Sequence, residues 1–285
     1  MKMKKIISIF LTAAVCLLCL AGPAAADVIE FSETGFVDMT GMDNTVYIRT
    51  KMSGIHSWKP GDRELTFYES GYDAIHYRGL VAVDGVLYTI NRDHYQFTGI
   101  GENGRGAPLD GIAIPDFEET THLGEGWQIY CMRNTPYGLF WVTYPDYHKN
   151  TLLLCRLDLS TMKLSCHPVP DIYSYCIQEN GTIWVVQNGG EEYPLSVLDW
   201  ASGELTKAAD LPTAAGGMIM KDGDMFFNAG GKIIRRTQDG DIETIGQLSI
   251  HHGNHFNSIL VNDDVLVYAL VNKLASFSIS EAQEQ

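Results

Sequence analysis

Short polar turns and short apolar runs alternate along this chain, and one arrangement of the two recurs six times. The turns begin at Asp43, Asp84, Tyr137, Asn180, Asp222 and Asn262. Four residues after each turn start stands a bulky apolar residue: Tyr47, Tyr88, Trp141, Trp184, Phe226 and Leu266. The turn starts are 41, 53, 43, 42 and 40 residues apart. Beyond residue 26 no stretch sustains an apolar period near 3.6; alternation and β-branched or aromatic runs bounded by Gly, Asn and Asp predict strands throughout. A period near 40 built from short strands is the mark of a β-propeller, each repeat forming one blade.

Repeat four lays out a blade most clearly. Strands are predicted at 173–178, 182–187, 195–200 and 205–211, with Asn180-Gly181 and Ser202-Gly203 as the hairpin turns. Asn-Gly and Asp-Gly suit tight hairpins because both residues tolerate positive φ. Repeat five copies this layout at 218–220, 224–228, 232–237 and 242–248, and repeat six supplies 258–261, 265–271 and 274–278 before stopping one strand short. At the other end, Val28-Ile29-Glu30-Phe31 reads as a strand without a blade. If that strand completes blade six, no open sheet edge remains. The expected fold is all-β, a six-bladed propeller closed by its N-terminal strand. It resembles, at superfamily level, secreted bacterial six-bladed propellers of the TolB-like and NHL-like kind. The resemblance spans residues 27–285, but blade hairpins serve many activities, so it transfers no functional residues.

Residues 1–26 have the form of an export signal. Lys2, Lys4 and Lys5 precede an apolar run from Ile6 to Leu20, and Ala24-Ala25-Ala26 offers a small-residue cleavage site before Asp27. The run is shorter than the roughly 20 residues that span a bilayer, so the expectation is a cleaved, Sec-type leader, no membrane span in the mature chain, and a secreted or extracytoplasmic location. Residues 27–285 then form a single domain of roughly 43 residues per blade, the ordinary size for four strands. The full chain carries a formal charge of −15, and loss of the three leader lysines leaves −18. Such a charge opposes binding to nucleic acid or anionic lipid, where the phosphate contribution would be repulsive.

Four cysteines follow the leader, Cys131, Cys155, Cys166 and Cys176, and four permit three pairings. One pairing follows from register. A turn over Leu159–Met162 places Asp158 opposite Lys163, hence Leu157 opposite Leu164 and Cys155 opposite Cys166. Cross-strand neighbours of this kind can form a disulfide in an oxidising compartment, or remain two small buried hydrophobes.

Several catalytic patterns match by letter and fail by context. The Gly99, Gly101 and Gly104 spacing is followed by Arg105-Gly106-Ala107-Pro108, whereas a dinucleotide fingerprint must open a helix. The Asp222-Gly-Asp224 and Asp239-Gly-Asp241 turns lack the acidic ligand series of a calcium loop. Histidine placement is more suggestive. In a propeller, inter-blade loops and second-to-third-strand loops share one face. His56, His94 and His148 are expected in or beside the latter, and His76, His122, His251, His252 and His255 in the former. Only His167 is expected elsewhere.

Polar residues gather on any face with long loops, and that alone accounts for the clustering. The sharper alternative is a ligand site at the mouth of the central channel, built from His76, Tyr77, Arg78, His122, Trp127, Asp146, His148, His252 and His255. Imidazole is the commonest metal ligand and a good general base, so His76, His122, His252 and His255 are the candidate ligands for a divalent metal. The expected function is an exported, non-catalytic, monomeric binding module that recognises a protein, peptide or glycan ligand of the cell envelope. The alternative is a metal-dependent lyase or hydrolase with its site at the channel mouth.

Overall fold

A computed structural model describes residues 24–31, 35–51, 54–72, 76–101, 109–121, 127–144, 152–248, 257–270 and 273–283. Two short segments open it, β1 (Ala24–Ala25) and β2 (Asp27–Glu30). Blade one is β3 (Phe36–Met42), β4 (Thr45–Thr50), β5 (Gly54–Trp58) and β6 (Thr66–Glu69). Blade two is β7 (Tyr77–Val83), β8 (Val86–Asn91) and β9 (Gln96–Ile100), followed by the helix α1 (Phe117–Thr121). Blade three is β10 (Gln128–Thr135), β11 (Gly138–Tyr144), β12 (Leu153–Asp158) and β13 (Lys163–Pro168). Blade four is β14 (Ile172–Ile177), β15 (Ile183–Gln187), β16 (Tyr193–Leu198) and β17 (Leu205–Leu211). Blade five is β18 (Gly216–Lys221), β19 (Asp224–Ala229), β20 (Lys232–Arg236) and β21 (Ile242–Gln247). Blade six is β22 (Asn257–Val261), β23 (Val265–Leu270) and β24 (Lys273–Ser278), with α2 (Ile279–Gln283) behind it.

The six sheets form a ring, a six-bladed β-propeller. The turns that opened each sequence repeat are tight hairpins: Asp43, Asp84, Asp222 and Asn262 take φ of 53°, 49°, 51° and 51°. Asp and Asn tolerate this left-handed region because their short side chains bond locally. Apolar residues of facing blades bury against one another, and a separate cluster lies at each of the six blade interfaces. All six repeated bulky residues, Tyr47 through Leu266, sit in these clusters. The core is therefore distributed around the ring, and each blade depends on both neighbours.

The ring closes as the sequence predicts. β2 pairs antiparallel with β24, Asp27 opposite Ser276 and Glu30 opposite Lys273. Phe31 then joins Val46, Trp58 and Leu274 in the cluster between blades six and one. β1 adds a parallel fifth strand beside β21, and Ala26 N–H donates to Gln247 O at 2.9 Å.

Blade two departs from the regular plan and accounts for the long 53-residue spacing. Its described sheet has three strands. The edge of β9 is covered by an irregular segment: Phe97 N–H donates to Ile112 O at 3.0 Å and Ile114 N–H to Tyr95 O at 2.8 Å. The helix α1 then inserts Phe117 between Tyr95, Trp127 and Trp141, with ring centroids 5.2, 5.5 and 6.2 Å away. Five residues are too few to show a helical period, so neither α1 nor α2 was visible in the pattern.

Cys155 and Cys166 face each other across β12 and β13 and are joined by a disulfide, with Cα atoms 4.1 Å apart. Cys131 and Cys176 are free thiols.

Candidate functional site

The innermost strands β3, β7, β10, β14, β18 and β22 surround the axis. Five of them, all but β22, carry a β-bulge. A bulge re-aims side chains without breaking the strand. Asp38 and Arg78 lie at two of these bulges and are 3 % and 5 % exposed. Hydroxyls near the axis tie neighbouring blades together: Ala82 N–H donates to Thr40 Oγ1 at 3.2 Å, and Met218 N–H to Ser174 Oγ at 3.2 Å.

Toward the loop face, Asp38, Arg49, Tyr77, Arg78 and Trp127 form one connected network. Arg49, fully buried on β4, donates through Nη2 to Asp38 Oδ2 and through Nη1 to Tyr77 O. Arg78 Nη1 donates to the same Tyr77 carbonyl at 3.1 Å, and Arg78 Nε to Trp127 O at 3.4 Å. Among the described residues, two guanidinium groups thus share a region with the Asp38 carboxylate. Arg49 Nε is buried with no hydrogen-bond partner among the described residues. Burial first, then the charges of Arg49 and Arg92, lowers the Arg78 pKa from its ordinary value. Burial, followed by Tyr144 and Asp38, raises that of the Tyr130 phenol nearby.

Three of the nominated residues, Tyr77, Arg78 and Trp127, are therefore brought together. Their roles differ from expectation in one respect. The Trp127 indole is buried against Tyr95 and Phe117, so Trp127 offers the network its carbonyl rather than a ring surface. His76 is exposed just before β7, and its carbonyl accepts from Arg92 N–H at 2.8 Å. His94 is exposed in the turn between β8 and β9, one strand further out. His56, expected in or beside a loop, is the third residue of β5, buried edge-on to Phe67 with centroids 5.6 Å apart. His167 lies on β13, its Nε2 2.8 Å from Trp200 O.

His122, Asp146, His148, His251, His252 and His255 lie outside the described residues. Of the four histidines nominated for a metal, only His76 is described. Among the described residues no group of three or more His, Cys, Asp or Glu is placed to hold a metal ion. Asp38, Arg49 and the central cavity were not singled out by sequence reasoning. The available signal was a charge inside an otherwise apolar strand, as in Val37-Asp38-Met39 and Ile48-Arg49-Thr50.

By sequence the chain matches no protein-family model and no curated protein. Its fold is similar to solved six-bladed propellers. A gluconolactonase from Xanthomonas campestris superposes with a TM-score of 0.64 at 13 % identity, over 91 % of this chain and 92 % of that one. Virginiamycin B lyase from Staphylococcus aureus, solved with quinupristin, gives 0.57 at 15 % identity over 89 % and 99 %. YCF48 bound to a D1 peptide gives 0.56 at 10 % identity over 90 % and 99 %. At these identities the likeness establishes the fold and leaves the activity open.

Proposed function

We propose that the protein is an exported, non-catalytic binding module that recognises a protein, peptide or glycan ligand of the cell envelope on its loop face. The observation that carries this reading is the convergence of Tyr77 and Arg78 with Asp38 and Arg49 at the loop-face end of the channel. Arg49 pairs with Asp38 there, and both guanidiniums donate to the Tyr77 carbonyl. A hydrogen-bonded polar network at a channel mouth is suited to orienting a ligand. The leader-like residues 1–26 and the Cys155–Cys166 disulfide support an oxidising, extracytoplasmic setting. Among the described residues no helix is long and apolar enough to cross a membrane. One structural neighbour is a peptide complex, which gives the binding reading a precedent within the fold.

The test is a binding panel of envelope glycans and peptides, read by biolayer interferometry against wild type and Tyr77→Ala. Tyr77 is half-buried, with its ring 5.1 Å from that of Tyr72. A ligand that binds wild type, loses at least tenfold in affinity to Tyr77→Ala, and is recovered intact by mass spectrometry supports the proposal. Recovery of a cleaved or eliminated product would replace it with an enzymatic reading.

A further inference from the structure

A cavity of about 290 Å³ lies on the axis, lined from all six innermost strands. Thr40, Ala82, Arg133, Ile177, Met220 and Leu260 each contribute from the later half of their strand. The cavity is thus displaced toward the tight hairpins and away from the loop face. Arg133 is the one charged side chain in its lining.

Arg133 reaches Ser258 Oγ at 3.4 Å, and its guanidinium carbon stands 5.4 Å from the centre of the Tyr175 ring. Among the described residues no carboxylate pairs with it. Stacking on an aromatic face leaves the N–H edge of the guanidinium directed elsewhere, and that edge matches a carboxylate in a two-point fork. Ser258 and Thr40 each accept a hydrogen bond, from Arg133 and from Ala82 N–H, and neither hydroxyl proton has an acceptor among the described residues. Cys131 and Cys176 also line the cavity. Burial pushes their thiols up to about 11 and about 12, so near neutral pH they add no negative charge to balance Arg133. The lining also includes Met39, Ile177, Met220 and Ile259 beside the polar Asn134 and Thr135.

We infer that this cavity is a carboxylate-binding site, in which Arg133 holds the carboxylate, Thr40 and Ser258 add donors, and the Met and Ile side chains of the wall accept a short apolar stem. The inference concerns the opposite end of the channel from the loop-face network and does not rest on the binding function proposed above. Two sources present this chemistry, a small free acid and the C-terminus of a peptide chain ending in an apolar residue.

Isothermal titration at fixed ionic strength separates them. The probes are butyrate and butyramide, and the tripeptide Gly-Gly-Leu with a free or an amidated C-terminus. The proteins are wild type, Arg133→Met and Arg133→Lys, each checked for folding by circular dichroism. Expected is binding of at least one carboxylate, at least tenfold weaker binding of its amide, and loss of that preference in Arg133→Met. Arg133→Lys should keep a reduced preference, since it keeps the charge and loses the fork. Binding of butyrate assigns the small acid; binding of the tripeptide alone assigns the peptide terminus. Equal binding of acid and amide, an unchanged affinity in Arg133→Met, or no binding of either carboxylate would overturn the inference. If Arg133→Met does not fold, the acid-to-amide ratio and Arg133→Lys still decide it.

Discussion

Lys273 Nζ lies 3.0 Å from the carboxylate of Glu30, at the end of the antiparallel ladder that joins the two ends of the chain. The ion pair itself is exposed, and such pairs contribute about 0–1 kcal/mol. The closure depends instead on the backbone ladder and on Phe31, which is 7 % exposed between blades six and one. Glu30→Ala should therefore lower stability by less than about 1 kcal/mol, whereas Phe31→Ala should cost about 3–5 kcal/mol. Deleting residues 27–31 should lower the melting temperature further still, by leaving β24 as an open edge. Thermal unfolding of the three variants checks the order; a deletion that melts with wild type would contradict closure.

The disulfide between Cys155 and Cys166 clips a short hairpin. Closing a loop of about this size is worth roughly 3 kcal/mol in the chain-entropy account. Cys155→Ser with Cys166→Ser should lose stability of that order in denaturant titration. Peptide mapping without reduction should recover these two cysteines linked, with Cys131 and Cys176 unlinked.

Much of the fold was legible because the propeller repeats itself. The Asp158–Lys163 turn set a register that carried through to the disulfide, and the orphan strand at Val28 matched a blade that ended early. What could not be read were departures from the repeat. Beside β9 of blade two lie residues 109–114, whose backbone bonds to that strand require no particular side chains. The candidate site was half legible. Tyr77 and Arg78 were placed on the loop face with its other polar residues, but Asp38 lies at a bulge at Phe36/Asp38, where the added residue shifts the alternation on which a strand pattern is read. His56 was expected in or beside the loop between the second and third strands; it is the third residue of β5, which begins at Gly54.

The free thiols predict an alkaline sensitivity. The Cys131 and Cys176 pKa values are raised from an ordinary 9.0 to about 11 and about 12, chiefly by burial. A group that stays protonated when folded contributes stability that is fully present below the unfolded pKa. That stability is lost as pH rises from about 9 through the folded values, because only the unfolded chain ionises there first. Native protein should accordingly resist iodoacetamide at pH 8 and react once denatured. Melting temperature should fall between pH 9 and 11, and the fall should be smaller in Cys131→Ala with Cys176→Ala. An equal fall in that variant would assign the sensitivity to other groups.

The ion pair between Asp38 and Arg49 provides the sharpest test of the loop-face network. Both side chains are almost wholly excluded from solvent, at 3 % and 1 % exposure. Removing one partner leaves an uncompensated buried charge, which typically costs about 3–5 kcal/mol. Asp38→Asn should therefore destabilise strongly, despite being nearly isosteric, because the Arg49 guanidinium would face Arg78 without its carboxylate. Replacing the pair together, Asp38→Leu with Arg49→Met, removes both desolvated charges and should recover much of the loss. Arg78 still donates to Tyr77 O in that double variant, so the carbonyl is not orphaned. Denaturant unfolding of Asp38→Leu, Arg49→Met and the double variant closes the cycle and measures the coupling. A double variant as unstable as Asp38→Asn would mean that the network holds the blades through its hydrogen bonds to Tyr77 rather than through its charges.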